Sequence, residues 1–216
     1  MAYGFLDIAA TASVKEAQRE NGSADYWACF HGERTFDRFT ENEAAFIAAR
    51  DSFFMATVSE SGWPYVQHRG GSPGFIRMRD DKTLAIADYR GNRQYITVGN
   101  VAAGGRASLI LMDYANRRRL KIFAHVEIKN LADDPELAAA VATPGYKAKP
   151  ERVMLFHLDA FDWNCPQHIT QRFTEAEIDA ALASVRERIA RLEAENEALR
   201  DKLAQHEGAR CQNAPQ

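Results

Sequence analysis

Between residues 178 and 203 the chain places one side chain of a continuous stripe at alternating intervals of four and three residues, without a break. The stripe is Ile178, Leu182, Val185, Ile189, Leu192, Asn196, Leu199 and Leu203. A helix lying on its own domain carries a wider stripe at a 3.6 period, whereas this narrow seam is that of a coiled coil. Ile178, Val185, Leu192 and Leu199 take d, and Leu182, Ile189, Asn196 and Leu203 take a. A buried Asn at a is costly unless it meets its twin across the interface, which favours two parallel strands in one register. In that arrangement each g position faces the next e of the partner. Arg188 then faces Glu193, Glu195 faces Arg200, and Lys202 faces Glu207, and all three pairs are attractive. Thr174 followed by Glu177 opens the helix as a capping box. The spacing therefore predicts a parallel coiled coil over 174–208, about 50 Å long at ~1.5 Å per residue. It predicts a homodimer, with a disordered tail over 209–216.

The rest of the chain must supply what is dimerised. With 216 residues, 46% of them hydrophobic, there is material for one domain and this appendage. The net charge of -3, with both signs mixed, lacks the basic excess of a nucleic-acid-binding protein. Cys29, Cys165 and Cys211 are odd in number and form no CxxC, so a cytoplasmic protein without a disulfide framework is expected. The opening stretch has no basic n-region and Asp7 interrupts it, which argues against a signal peptide. No run approaches the roughly 20 apolar residues of a membrane span.

Residues 1–39 read as an N-terminal extension. Ser13 with Glu16, and Thr40 with Glu43, are capping-box pairs that predict helix starts, and the stretch 21–39 reads as an ordered loop. From 40 to 173 strand signals dominate. Strands are predicted at Ser52 to Ser59, Tyr65 to Gly70, Phe75 to Arg79, Thr83 to Ala87, Arg106 to Met112, Leu120 to Ile128 and Val153 to Phe161. The first two form a hairpin through Gly62-Trp63-Pro64. Helices are predicted from Asn92 to Val101 and after Asp134-Pro135. The expected fold class is mainly β with flanking helices (α+β), a small barrel followed by the coiled-coil helix. The run Phe36, Phe39, Phe46, Phe53 and Phe54 is assigned to its core.

Two segments could hold a cofactor. Asp88-Tyr89-Arg90-Gly91-Asn92-Arg93-Gln94 lies between a strand and a helix, where free N–H groups and arginines suit a phosphate. An ordinary turn with solvated arginines gives the same string. Gln67-His68-Arg69-Gly70-Gly71 ends the hairpin, and its glycines would let the backbone approach a flat ring or form a bulge. Asn164-Cys165-Pro166-Gln167-His168 is either a ligand-facing loop or a turn imposed by Pro166. Cys165 and His168 alone are too few for a zinc site, and no metal is expected. Arg117-Arg118-Arg119 with Lys121 reads as a solvated strand edge, and His125 and His157 as structural histidines.

Taken together, Phe53 to Val58, Gly62 to Pro64, the strand into Gln67-His68-Arg69, Asp88 to Gln94, and Arg118 to Ile122 resemble the pyridoxamine 5'-phosphate oxidase-related FMN-binding split barrels. The similarity is greatest to a subgroup carrying the strings found here at Trp63 to Gly71, Gly91 to Ile96 and Asn164 to Ile169. The resemblance implies FMN at a dimer interface. Asn92 and Arg93 would match the family's phosphate-binding Ser-Arg pair. Asp88 and Tyr89 would match the strand end lining the flavin, and Gln67, His68 and Arg69 the strand passing it. Gln94 stands where the family often has Lys, which removes one phosphate charge. The family's Arg-Leu-His-Asp-Arg-like substrate segment is replaced by Gln167-His168-Ile169-Thr170-Gln171-Arg172. The resemblance therefore implies a flavoprotein oxidoreductase acting on a small molecule it does not identify. A non-catalytic flavin-binding or sensor protein, or a barrel holding the deazaflavin F420 or haem, is the alternative.

Overall fold

A computed structural model describes residues 4–28, 37–143, 146, 148, 150–163 and 166–212, with side chains through 204. Cys29, Phe36, Asn164 and Cys165 lie outside the described residues, as does the side chain of Cys211. Three short helices come first: α1 (Phe5–Ala9), α2 (Ala12–Glu20) and α3 (Ala24–Ala28). They are followed by α4 (Glu41–Ala48), β1 (Ser52–Val58), β2 (Pro64–Gly70), β3 (Arg77–Met78) and β4 (Thr83–Tyr89). Then come α5 (Ile96–Gly104), β5 (Arg106–Asp113), β6 (Arg118–Asn130), a 3-10 turn (Leu131–Asp133), α6 (Pro135–Val141) and β7 (Pro150–Trp163). Last is α7 (Glu175–Gln212). Residues 1–170 and 171–216 form two separate units.

In the first unit the strands make one antiparallel sheet in the order β2-β1-β5-β6-β7-β4-β3. Alternation decides which face is buried. On β5 the inward residues are Ala107, Leu109, Leu111 and Asp113, and on β6 Leu120, Ile122, Ala124 and Val126. β4 and β7 break the alternation because both their faces are covered. Leu84, Ile86, Met154 and Phe156 join the interior, while Ala85, Val153 and Leu155 lie beneath Leu137 and Val141 of α6.

The sheet curls far enough for its ends to meet. Phe53 on β1 packs edge-on against Phe156 on β7, with ring centroids 6.1 Å apart. Arg69 on β2 reaches Asp88 on β4, five strands away in the sheet order, at 2.8 Å. β2 and β4 share no backbone ladder, so side chains close the cylinder: it is a split barrel.

α4 is fastened to one end of the barrel by its first turn. Glu43 accepts from the Thr40 backbone N–H and from Asn42 Nδ2, both at 3.0 Å, and from Trp163 Nε1 at 2.7 Å. Burial opposes the charge of this carboxylate, but the donors of Thr40, Trp163 and Asn42 outweigh it and hold its pKa below the ordinary value. Arg118 lies 4.5 Å over the Trp163 ring, so this member of the basic run is a packing element. In the N-terminal extension, Phe5 stacks on Phe123 of β6 at 4.3 Å.

Several boundaries differ from expectation. The cap expected at Ser13 is instead Thr11, at the start of α2, whose Oγ1 accepts from the Val14 N–H. The segment 21–39, expected as loop, contains α3, whose Trp27 N–H bonds to the Ser23 carbonyl. The third strand shrinks to Arg77–Met78, because Ser72 to Phe75 is spent in a turn closed by Phe75 N–H to Ser72 C=O. His125 and His157, expected as structural histidines, are exposed and paired with Asp159 and Glu127.

In the second unit, Thr174 and Glu177 form the expected reciprocal cap: the Thr174 N–H reaches Glu177 Oε2 at 2.7 Å, and Thr174 Oγ1 accepts from the Glu177 N–H at 3.2 Å. The helix does not stop at 208. It continues through Gly208 to Gln212, into the residues expected as a disordered tail.

Candidate functional site

The two segments singled out from the sequence converge. Arg69 Nη1 donates to Asp88 Oδ1 at 2.8 Å, and Thr97 Oγ1 on α5 donates to Gln67 Oε1 at 2.8 Å. A second contact, Asn100 Nδ2 to Thr57 Oγ1 at 3.0 Å, holds α5 on β1. The end of the β1–β2 hairpin, the end of β4 and the start of α5 are thereby fixed to one another.

Asp88 is the centre of this arrangement and is buried. Its Oδ2 accepts Arg152 Nε at 2.9 Å and lies 2.9 Å from Arg152 Nη2, so two nitrogens of one guanidinium converge on a single oxygen from the strand position directly opposite on β7. Burial works against the Arg152 charge, but the hydrogen bonds and charge of Asp88, with Glu151 and Tyr95 beyond, raise its pKa. Arg152 also lies 4.8 Å over the Tyr95 ring, and Tyr95 Oη donates to Glu151 Oε2 at 3.3 Å. Both Asp88 oxygens are thus committed to guanidinium groups. The residue ties β2, β4 and β7 together. Sequence reading missed Arg152, Glu151, Tyr95 and Thr97. The charged pair Glu151-Arg152, immediately before the apolar run Val153 to Phe156, was the available signal.

The turn from Arg90 to Tyr95 has an unusual backbone. Gly91, Arg93 and Tyr95 have φ of 48°, 66° and 52°, a left-handed residue at every second position. Only glycine occupies this region without strain, so Arg93 and Tyr95 each store about 1–3 kcal/mol. Turns of this kind gather successive N–H groups into a concavity that favours anions. α5 does not begin at Asn92 as expected. Asn92 Oδ1 accepts from the Gln94 N–H at 3.1 Å, and its Nδ2 reaches Gln94 Oε1 at 3.3 Å, an Asx turn that shifts the helix start to Ile96. No side chain caps α5, so the N–H groups of its first turn are available to an anion. Arg93 is exposed beside them, whereas Arg90 is drawn to Glu151, with Nε 3.4 Å from Oε1.

The remaining candidates divide. Arg69 Nε is buried and has no acceptor among the described residues. His68 projects from the opposite face of β2, exposed against Phe54 with ring centroids 5.5 Å apart, so Gln67, His68 and Arg69 are not one cluster. Gly71 admits no side chain because a Cβ would sit 2.7 Å from Phe75, so the chain's own ring explains that glycine. Tyr89 is partly buried and meets Tyr146 at 5.0 Å between centroids. No cluster of three or more possible metal ligands occurs among the described residues. No helix among them is long and apolar enough to cross a membrane.

This rolled, side-chain-latched sheet with an open helix N-terminus at its mouth is one of a known kind. The sequence profile of the pyridoxamine 5'-phosphate oxidase family matches residues 39–160, more than half of the chain, and the chain belongs to that family. Among solved structures it is similar to HupZ of Group A Streptococcus (16% identity, 62% of this chain and 99% of that one, TM-score 0.45). It is also similar to an FMN-binding protein of Syntrophomonas wolfei (14% identity, 71% and 95%, TM-score 0.41). A third similar structure is an F420 reductase (20% identity, 57% and 98%, TM-score 0.41). No curated protein matches the chain.

Proposed function

We propose that this protein binds FMN and acts as an oxidoreductase on a small molecule other than pyridoxamine phosphate. The observation that carries the reading is the uncapped start of α5 behind the left-handed turn, with Arg93 exposed beside it. The phosphate would rest on the first-turn N–H groups of α5, with Arg93, Asn92 and Gln94 around it. Gln67, Arg69 and Tyr89 would meet the ring system, where the unpartnered Arg69 Nε suits a ring acceptor. Asp88 and Arg152 would hold Arg69 and Tyr95 in place. FMN, when bound, supplies the electron acceptor and donor, and the protein supplies placement and electrostatics. The roles proposed for these residues are to bind and orient.

The absorption spectrum of the purified protein tests this. A flavin spectrum with about one FMN per subunit is expected, and deazaflavin or haem bands would replace FMN in the proposal. Arg93→Ala should weaken FMN by about 1.5–3 kcal/mol, the worth of a hydrogen bond to a charged group, and riboflavin hardly at all. A protein that purifies colourless and takes up no added flavin refutes the reading. Reduction of the bound flavin by a nicotinamide donor, followed by reoxidation, separates an oxidoreductase from a non-catalytic flavin carrier.

A further inference from the structure

We propose that α7 is the docking surface for a second copy of this chain, parallel and in register, independently of any flavin. Ile178, Leu182, Val185, Ile189, Leu192 and Leu199 are 41–65% exposed along one side of a 38-residue helix. Helices owe most of their stability in water to packing of such a face. The occupant follows from the seam itself. A strict a/d stripe fits a copy of itself, and Asn196 at a is satisfied only opposite another Asn196. Charge is complementary in the same register: Arg188 with the partner's Glu193, and Glu195 with the partner's Arg200. Among the described residues, none of these four forms an ion pair within its own chain, whereas Arg186 at e does, with Asp179 at 2.8 Å. Arg186 is also the e residue whose facing g position, Ala181, carries no charge.

Disulfide trapping in the full chain tests the pairing. With Cys29, Cys165 and Cys211 changed to Ser, Leu199→Cys and Leu192→Cys put sulfurs at d, and Asp201→Cys puts one at the outward f position. Sedimentation should give two chains. Both d variants should cross-link under mild oxidation at least about tenfold faster than Asp201→Cys, since d brings the two backbones within bridging distance and f does not. A dimer that cross-links at neither Leu192→Cys nor Leu199→Cys overturns the proposal, because the barrels or an antiparallel pairing then hold it. Equal cross-linking at Asp201→Cys, or a mass of three or four chains, does the same. The unaltered chain is the second measurement: a monomer at high concentration also overturns it.

Discussion

Asp88→Ala removes the acceptor that closes the barrel. The Asp88 side chain is 4% exposed and its partners Arg69 and Arg152 are 17% and 16% exposed, so these are desolvated charges rather than surface pairs. Alanine deletes a three-point contact and leaves Arg69 only the Met154 sulfur, 4.0 Å from Nη2. Arg152 keeps Glu151, at 3.2 Å, and the Tyr95 ring. Breaking a buried pair from one side costs about 3–5 kcal/mol, mainly through the charge left behind. At about 2–4 °C per kcal/mol for a chain of this size, the melting temperature should fall by roughly 6–20 °C. The assay is urea unfolding of flavin-free protein at fixed concentration, followed by tryptophan fluorescence, so that neither ligand nor dimerisation shifts the balance. The combined variant Asp88→Leu, Arg69→Met, Arg152→Met removes all three charges and should recover most of the loss, because an apolar triad of similar volume escapes desolvation. If Asp88→Ala costs less than about 1 kcal/mol, or the triple variant is as unstable as the single one, the latch does not act as described.

Three further outcomes follow from particular contacts. Glu43 has a depressed pKa in the folded protein, so its contribution is complete above the unfolded value near 4.5 and is lost as pH falls through the folded one. Stability should therefore drop more steeply below about pH 4.5 in the native protein than in Glu43→Gln, and equal slopes would rule this out. Gly71→Ala pushes a methyl into the Cβ and Cγ of Phe75 and should cost about 1–3 kcal/mol in urea unfolding, and an unchanged midpoint would rule the contact out. Asn196→Ile should raise the melting point of the helical circular dichroism signal while broadening the distribution of oligomer masses, and a lowered melting point would contradict pairing at this position.

Legibility in the sequence varied with how many faces of an element are covered. β5 and β6 have one buried face, so Ala107 to Asp113 and Leu120 to Val126 alternate and their strands could be placed. β7 is covered twice, so Val153 to Phe156 reads as an unbroken apolar run, and the charged pair before it looked like flanking sequence. Those two residues hold the site together. The turn 91–95 was readable as a turn but not as three left-handed residues, since Arg and Tyr carry no propensity that announces a positive φ. His68 was readable. Once Gln67 to Arg69 is a strand, its middle residue must face away from the other two. The Glu43–Trp163 bond joins residues 120 apart in sequence, and no local pattern signals it.

The latch between β2 and β4 has a mechanical consequence. Every other junction in the wall from β2 to β4 is a ladder of backbone hydrogen bonds, and parting it breaks several at once. This one parts by losing contacts among three side chains, so the barrel is a door with a bolt rather than a hoop. Amide exchange should map that asymmetry. Protection should be greatest along β5, β6 and β7, and least along β2, whose outer edge has no ladder. Asp88→Ala should speed exchange in β2 and the end of β4 far more than in β6.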